Sequence, residues 1–299
     1  MKTLTVFTPA YNRAHTLRRT YESLLRQTCD DFEWLVIDDG STDNTRELVA
    51  EWISDNKLPI RYIYQENQGM HGAHNTAYAN IDTELNVCID SDDWMPDDAV
   101  ESIINFWCNN KSEDVAGFIG LDQASGGGII GDRFSVNKTT LWEYNRTGGS
   151  GDKKLVYRTD IIKKYPPYPV FEGEKYVSLA SKYFIIGLDY EMLTFNKVLV
   201  IVDYQTDGSS YNMYRNYVNN PRGFVYDRKL VLSTHPDIRT RLKYCIHYVA
   251  NKILAGEVNS IVSDSPCKLT TMLALPLGYI WYRFILHQYK KGAKIKLKI

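Results

Sequence analysis

The sequence predicts a doubly wound α/β fold, in which a mostly parallel sheet lies between helices, followed by a helical region at the C-terminus. Two observations carry this prediction. Over the first 120 residues, strand-like and helix-like segments alternate, an order typical of parallel strands joined by crossover helices. Polar residues also cluster immediately after the strand-like segments, where ligands bind in sheets of this kind.

Short apolar runs predict four strands in this first part of the chain. They are Leu4 to Thr8, Trp34 to Ile37, Ile60 to Tyr64 and Leu85 to Ile89. Helix-like spacing separates them, at Ala14 to Gln27, Asp43 to Asn56 and Gly72 to Asn80. This order brings residues 8–13, 38–43 and 90–93 to one edge of the predicted sheet.

The pattern after residue 120 is less regular. Gly126 to Gly151 is rich in glycine, which predicts loops. Glu172 to Glu174 opens a helix-like stretch, and Lys197 to Tyr204 has the composition of a further strand. From Arg239 onward the sequence looks helical and is interrupted by two prolines, Pro266 and Pro276.

Composition and charge exclude several classes of protein. With 44% hydrophobic residues in 299, the chain is too apolar to be disordered. Its 35 basic and 36 acidic residues create no field that would attract nucleic acid. Five scattered cysteines without a CxxC pair argue against a disulfide scaffold or a thiolate zinc site. Met1 leads into the first strand without a signal-peptide pattern, which predicts a cytoplasmic chain.

Three carboxylates follow the fourth strand at Asp90, Asp92 and Asp93. Like charges this close repel unless a cation or a raised pKa relieves them. Hard oxygen ligands suit Mg²⁺ or Mn²⁺, which commonly bind through one or two carboxylates and substrate phosphates. The alternative is a solvated turn, in which Asp92 or Asp93 caps the helix that begins near Pro96.

A second acidic pair, Asp38 and Asp39, follows the second strand. Helix capping by Ser41, Thr42 or Asp43 explains part of this segment without any ligand. It does not explain the two adjacent aspartates. A carboxylate at a strand end can accept hydrogen bonds from a nucleobase or a ribose hydroxyl.

Four motifs in order, TPAYNR, IDDGSTD, NQGMHGAHN and IDSDDW, strongly resemble the family 2 glycosyltransferases of GT-A fold, a Rossmann-like α/β fold. The resemblance covers roughly the first 110 residues and is looser at FEGEKYVS and DYQTDGSS, which are similar to stretches of bacterial surface-polysaccharide members. It implies a catalytic domain over residues 1–230, with a nucleotide-binding half (1–120) and an acceptor half (121–230). A helical region with a basic amphipathic tail then covers 231–299.

The resemblance also implies roles for residues of the donor site. Those assigned to the nucleotide sugar are Pro9, Tyr11, Arg13, Asp39, His74, Asp90 and Ser91. Trp94 directly follows the aspartates, and its aromatic ring makes it the candidate for a sugar pocket. Asp90 and Asp92 would hold the divalent cation, Mg²⁺ or Mn²⁺, and the diphosphate, with Asp92 in direct contact and Asp93 as a second ligand. His74 stands where the family often has arginine, so its charge depends on pH, and a helix-terminal histidine without a ligand is the alternative.

An inverting transfer needs a carboxylate that takes the proton of the attacking hydroxyl. The resemblance assigns this role to Glu174, with Glu172 as the second choice. An acid in the first turn of a helix is also favoured by electrostatics alone, which is the alternative for Glu174. A mobile flap over the site is expected from Asp207 to Arg222, where Arg215 and Arg222 could reach phosphate; an ordinary surface loop is the alternative.

The predicted function is therefore inverting transfer of a sugar from a nucleotide sugar, with UDP expected, to a hydroxyl of a saccharide or lipid-linked acceptor in polysaccharide biosynthesis. The alternative is a catalytically inactive sugar-nucleotide-binding or assembly subunit. An aspartyl phosphotransferase is disfavoured because Trp94 stands where a DxDxT motif needs threonine. A dinucleotide-dependent dehydrogenase lacks its GxGxxG after the first strand.

The C-terminal tail carries seven cations and no carboxylate between Ser265 and Ile299. Leu273 to Leu286 is mostly apolar but covers only 14 residues, too few to cross a bilayer. Its apolar residues follow helical spacing, which predicts an interfacial helix and contact with the inner face of the cell membrane. A C-terminal helix docked on the catalytic domain, with solvated lysines, is the alternative.

Overall fold

The computed structural model describes residues 2–204 and 212–293, and it divides them into two compact units. The first unit contains residues 2–167 and 182–204, and the second contains residues 168–181 and 212–293. The strands of the described chain are β1 (Leu4–Ala10), β2 (Phe32–Asp38), β3 (Ile60–Tyr64), β4 (Leu85–Cys88), β5 (Val115–Ala124), β6 (Lys138–Thr139), β7 (Lys153–Arg158) and β8 (Glu191–Val202).

The helices of the described chain are α1 (Ala14–Leu25), α2 (Thr45–Asp55), α3 (Met70–Asn80), α4 (Ala99–Asn110), α5 (Leu141–Arg146), α6 (Thr159–Lys164), α7 (Ala180–Asp189), α8 (Met213–Asn219), α9 (Pro221–Ser233), α10 (Ile238–Leu254) and α11 (Lys268–Lys290). The longest of them are the last three, α9, α10 and α11.

The first unit is built on one mixed sheet with the strand order β3-β2-β1-β4-β7-β5-β8-β6. β1, β2, β3 and β4 run parallel, as does β8 beside β5, whereas β7 and β6 run antiparallel to their neighbours. The predicted mostly parallel sheet is therefore confirmed. The four N-terminal strands and three helices also lie where the sequence predicts them, within a few residues at each end.

Alternating residues of β1 supply the two faces of the sheet. Val6 packs into the cluster that contains Leu17 of α1 and Val49 of α2. Phe7 points to the opposite face, where its ring contacts His74 and Tyr78 of α3. Because successive side chains of a strand point to opposite faces of the sheet, each β1 side chain packs against the helices on one face or on the other.

An aromatic stack anchors the first helix layer. The rings of Tyr21 in α1 and Trp52 in α2 are 4.2 Å apart and nearly parallel, and Trp34 of β2 stacks beside them. The Trp34 indole donates to Thr8 Oγ at 3.0 Å, so its polar atom is satisfied although the ring is buried. This stack fixes α1 and α2 against the strands that lead into the polar loops.

The second unit has its own apolar core, formed where α9, α10 and α11 pack together. Its buried residues include Val225, Leu232, Tyr248, Val249 and Ala274. The predicted domain boundary at residue 230 falls inside α9, whose residues on both sides of that position contribute to this core. The packing of α9 on α10 keeps this helix in one unit, and the assignment of a catalytic domain and a C-terminal region stays a prediction.

Three local predictions are wrong. The Gly-rich segment contains β6 and α5 as well as loops. Glu172 to Glu174 forms a turn, and the following helix begins only at Ala180. Pro276 lies inside α11 rather than breaking it, since packing against α10 holds the helix together around the missing N–H.

Gly117 in β5 provides a test of the sheet. It has φ +141°, and a Cβ at this position would lie 2.0 Å from the Val156 carbonyl oxygen in β7. Because the obstacle is backbone, Gly117→Ala should cost about 2 kcal/mol or more in the free energy of unfolding, measured by chemical denaturation. The matched control is Gly126→Ala, where a Cβ meets nothing within 4 Å. Equal stability of the two variants would contradict this account of the β5–β7 pairing.

Candidate functional site

The loops after β1 and β2 are joined by hydrogen bonds from short polar side chains. Asn12 Oδ1 accepts from the backbone N–H of Thr42 at 2.7 Å and of Asp43 at 3.3 Å. The Asn12 N–H donates to Ser41 Oγ at 2.9 Å, and Asp43 Oδ2 accepts from the Ala14 N–H at 3.2 Å. Asp43 thus bonds the first turn of α1 as well as the segment leading into α2. The TPAYNR and IDDGSTD motifs form one rigid surface.

Asp38 and Asp39 both have structural hydrogen bonds. Asp38 accepts from the Ser41 N–H at 2.8 Å and the Tyr62 hydroxyl at 2.5 Å. Asp39 accepts from Gln65 Nε2 at 2.7 Å and from the N–H groups of Gln68 and Gly69 at 2.8 Å each. Asp39 therefore orders the segment that leads into α3. Its assignment to the nucleotide stays a prediction.

Three other predicted donor residues lie around these loops. Pro9 is buried near the end of β1, beyond the last residue that pairs with β4, so its missing N–H breaks no hydrogen bond to that strand. Tyr11 follows it with half of its surface exposed. Burial raises the pKa of Asp92, and the nearby charge of Arg13 opposes this rise. The structure brings these residues to the same edge of the sheet.

The acidic turn, residues 90–94, follows β4 at that edge. The Asp93 N–H donates to the Asp90 carbonyl at 3.0 Å and closes the turn. α4 begins at Ala99 with Asp98 at its N-cap position. Asp92 and Asp93 therefore do not cap this helix, which removes the structural alternative that the sequence left open for them.

Asp93 is almost completely buried within the acidic turn. Its Oδ1 accepts from the Asp203 N–H at 3.0 Å, which ties the turn to the end of β8. Burial, followed by the negative charge of Asp90, raises the pKa of Asp93 to about 8. Burial and the same neighbour also raise the pKa of the half-buried Asp92. Burial and the neighbouring carboxylate thus favour the protonated form of Asp93 in the absence of a bound cation.

Arg19 of α1 is a site residue that the sequence analysis missed. Its guanidinium donates to the Asp92 carbonyl at 2.5 Å and to the Asp203 carboxylate at 2.9 Å. It also lies 4.2 Å from the centre of the Trp94 ring. Arg19 therefore covers one face of Trp94, the residue proposed for the sugar pocket. No local pattern marks it, because it looks like an ordinary solvated position of α1.

Two further charged residues, Asp122 and Lys154, were also missed. Burial raises the pKa of Asp122 to about 6. Burial alone would lower the pKa of Lys154, but the carboxylates of Asp122, Asp90 and Asp93 outweigh it and raise the pKa. Lys154 enters this edge because β7 runs antiparallel and begins where β4 and β5 end. Lys154 therefore supplies a positive charge near the carboxylates of the acidic turn.

His74 is buried in α3 beside the acidic turn. Its Nδ1 lies 2.9 Å from the Met70 carbonyl oxygen, so this nitrogen carries the proton. Burial lowers the pKa of His74 to about 4, with Asp90 acting in the opposite direction. A neutral His74 of this tautomer can only accept a hydrogen bond at Nε2. Its contact with the nucleotide sugar stays a prediction.

The arrangement suits a metal ion that shares its ligands with a substrate. Within residues 2–204 and 212–293, no group of three or more His, Cys, Asp or Glu side chains is placed to hold a metal by itself. Mg²⁺ commonly takes one or two carboxylates and completes its shell with water and substrate phosphates. Asp90 and Asp92 place two carboxylates on the acidic turn, and their assignment as metal ligands stays a prediction. Ser91, between them, is buried.

Glu174 lies in the second unit, at the N-terminus of α9. Its carboxylate oxygens accept from the N–H groups of Arg222 at 3.0 Å and Gly223 at 2.9 Å, and Arg222 Nε lies 3.5 Å away. Glu174 is buried, whereas Glu172 is exposed. The carboxylate thus stabilises a helix N-terminus, although not that of the helix the sequence predicted.

The predicted flap falls partly outside the described residues. Asp207 to Ser210 lie in the segment that the structure does not describe. Arg215 is exposed on α8, and Arg222 faces Glu174 from the first turn of α9. Their predicted contact with phosphate stays a prediction.

Fold and site together define an α/β protein that binds its ligand beyond the carboxyl ends of parallel strands. Residues 5–162, more than half of the chain, match the family described as glycosyl transferase family 2. The chain belongs to this family, and the resemblance of the four motifs is confirmed.

Two curated relatives show how far the similarity extends. A glycosyltransferase of Nostoc sp. is 32% identical over 184 residues, which cover 56% of this chain and 54% of the relative. The chondroitin synthase of Escherichia coli is 39% identical over 98 residues, covering 33% of this chain and 14% of that protein. The chain thus spans about half or less of the length of these relatives.

Solved structures resemble the chain over nearly its whole length. Staphylococcus aureus TarS 1-349 in complex with UDP-GlcNAc superimposes with a TM-score of 0.61 at 17% identity, covering 98% of this chain and 93% of that one. The mannosyltransferase PcManGT from Pyrobaculum calidifontis, in complex with GDP-Man and Mn²⁺, gives a TM-score of 0.56 at 16% identity, with 97% and 86% covered. At these identities the likeness shows the shared fold.

The buried His74 predicts an acid-sensitive stability. Its pKa is about 4 when folded, against an ordinary value of 6.5, so the unfolded chain binds a proton between these values and the folded chain does not. Stability therefore falls as pH falls through this window, by about 2 kcal/mol between pH 7 and pH 5 from this residue. Chemical denaturation of His74→Gln should show a smaller loss. His15→Gln, an exposed position of α1, should keep the wild-type slope, and equal slopes in all three proteins would contradict the assignment.

Proposed function

We propose that this chain transfers a sugar from a nucleotide sugar to a hydroxyl of a saccharide or lipid-linked acceptor in polysaccharide biosynthesis, with inversion at the anomeric carbon. The observation that carries the proposal is the acidic turn, which lies at the same sheet edge as the interlocked loops after β1 and β2. Chondroitin synthase among the relatives, and the UDP-GlcNAc bound to TarS, support a polysaccharide product and a UDP donor.

The donor would lie along the carboxyl edge of the sheet. In this proposal Pro9, Tyr11 and Arg13 contact the nucleotide together with Asp39. Asn12 and its partners keep these loops rigid, so little ordering is lost when the nucleotide binds. Ser91, Trp94 and His74 complete the sugar-nucleotide site. Because His74 is neutral, its contact would be with a hydroxyl rather than with the diphosphate.

The acidic turn fits Mg²⁺ or Mn²⁺ through its donor chemistry. The carboxylates of Asp92 and Asp93 have raised pKa values. A hard cation would reduce the repulsion between such closely packed carboxylates. Asp92 and Asp90 would hold the ion, with Asp93 as a further ligand despite its hydrogen bond to Asp203. The bound ion supplies charge neutralisation to the departing diphosphate. PcManGT, described with Mn²⁺, supports this choice.

Glu174 is the proposed base. The acceptor oxygen forms a bond to the anomeric carbon, its proton passes to the Glu174 carboxylate, and the electron pair of the broken C–O bond leaves with the nucleoside diphosphate. Two backbone N–H groups hold both Glu174 oxygens in a fixed orientation, which suits a positioned base. Glu172 is the second candidate for the same role. A cytoplasmic location for this reaction stays a prediction.

The metal assignment is tested with Asp92→Asn. Loss of one cation ligand should lower kcat/KM for Mn²⁺-dependent turnover of the donor by about 100-fold or more, because charge on the leaving group is no longer neutralised. A panel of sugar nucleotides, screened by thermal shift with and without Mn²⁺, first identifies the donor. The matched control is Asp97→Asn, five positions along, where the aspartate pairs with Arg26 at the surface. Undiminished turnover in Asp92→Asn would refute the assignment.

The base is tested with Glu174→Gln beside Glu172→Gln. Removing the base should reduce transfer by about 100-fold or more while the donor-induced thermal shift is retained. Glu174→Gln also weakens the contact with α9, so the melting temperature of each variant is measured in parallel. Loss of activity in Glu172→Gln but not in Glu174→Gln would move the role to Glu172. Donor binding without any transfer in the wild-type chain would favour the inactive binding subunit.

A further inference from the structure

α11 has two different faces, one of which is buried within the described part of the second unit. Thr271, Ala274, Gly278 and Ile285 are buried. Gly278 allows the close approach to α10, since a Cβ there would lie 2.5 Å from the Val249 side chain. These residues lie three, four and seven positions apart along the helix and therefore form a single buried stripe.

The opposite side of α11 is apolar and exposed to solvent. We call it the apolar ridge, and its residues with their exposed fractions are Leu269 (73%), Met272 (54%), Leu273 (70%), Leu277 (48%) and Ile280 (62%). At helical rise the ridge is about 17 Å long. Contiguous exposed apolar surface on this scale marks an interaction site.

The charges around the ridge favour an anionic lipid surface as its partner. The chain from Ser265 to Ile299 has seven cations and no carboxylate. Lys268 lies at the start of α11, and Arg283, Lys290 and Lys291 lie near its end. A second copy of this chain would bring like charges together, whereas an anionic lipid surface attracts each of them. An apolar face with cations at its ends is the pattern of an interfacial helix.

The length of α11 corrects the sequence-based estimate of a 14-residue apolar segment. Its 23 residues have a mean hydropathy of 1.3 in the most apolar window, and among the described helices α11 is long and apolar enough to cross a membrane by length and composition alone. The buried stripe argues for a different placement. Because one side of the helix is packed on α10, only the ridge side is available to lipid.

We propose that the apolar ridge of α11 inserts into the surface of an anionic bilayer, with the helix axis parallel to the membrane and the flanking cations on the lipid phosphates. The proposal concerns a surface of the second unit and does not depend on the donor site. It extends the predicted membrane contact of the tail to particular side chains and to an orientation.

The proposal is tested by co-sedimentation of the full chain with vesicles. Phosphatidylcholine vesicles containing phosphatidylglycerol should bind the wild-type chain, and pure phosphatidylcholine vesicles should bind it at least tenfold more weakly. The double variant Leu273→Asn, Ile280→Asn should lose at least tenfold in binding to the anionic vesicles, since each side chain contributes apolar area. Leu188→Asn, an equally exposed leucine on α7, is the matched control and should bind as wild type.

A second variant separates charge from apolar contact. Lys290→Gln with Lys291→Gln should weaken binding to anionic vesicles, and raising the salt concentration should reduce the wild-type affinity towards that of the variant. Circular dichroism and the melting temperature show that each variant is folded. The Mn²⁺-dependent thermal shift with the donor should be unchanged in the ridge variant, so failure of this proposal is distinguishable from failure of the glycosyl transfer.

Several results would overturn the proposal. They are equal binding to neutral and anionic vesicles, unchanged binding of the ridge variant, and no binding of the wild-type chain. Sedimentation equilibrium showing a dimer that the ridge variant dissociates, without vesicle binding, would make the ridge a contact between copies. Resistance of the membrane-bound chain to alkaline carbonate would show that α11 spans the bilayer.

Discussion

The parallel pairing of β1 with both β2 and β4 is the constraint on which the site depends. Ala10 lies opposite Asp38 and Phe7 lies opposite Cys88, so the three loops that follow these strands begin side by side. Asn12 and Asp43 then join two of the loops through backbone N–H groups, and Asp39 bonds the segment that enters α3. Rigid loops at a sheet edge are suited to bind a ligand without a large loss of conformational entropy.

The electrostatics of this edge follow from burial as much as from sequence. Asp93 and Asp122 have raised pKa values because they are removed from water among other carboxylates. Arg19 and Lys154 compensate part of this charge from α1 and β7. A bound cation would offset both the burial and the mutual repulsion of these carboxylates, which is the physical basis for proposing a divalent ion at Asp90 and Asp92.

Glu174 has a structural role that is compatible with the chemical role proposed for it. Its oxygens accept two backbone hydrogen bonds at the start of α9, a contact that stabilises the helix N-terminus and fixes the carboxylate. The same unit contains α11, which packs on α10 through its buried stripe. Its exposed apolar ridge is the side proposed to contact lipid. The unit therefore combines the proposed base with a candidate membrane surface.

The sequence by itself determined the alternating first half of the fold, the family and the acidic residues after β2 and β4, because hydrophobic periodicity and short motifs are local properties of the chain. Tertiary structure decided the rest. Lys154 lies near Asp90 because β7 runs antiparallel beside β4. No local sequence pattern specifies this strand order. Arg19 reaches Asp203 across 184 positions, and Glu174 reaches α9 across 48. Pro276 stays within a helix because packing on α10 outweighs its local preference.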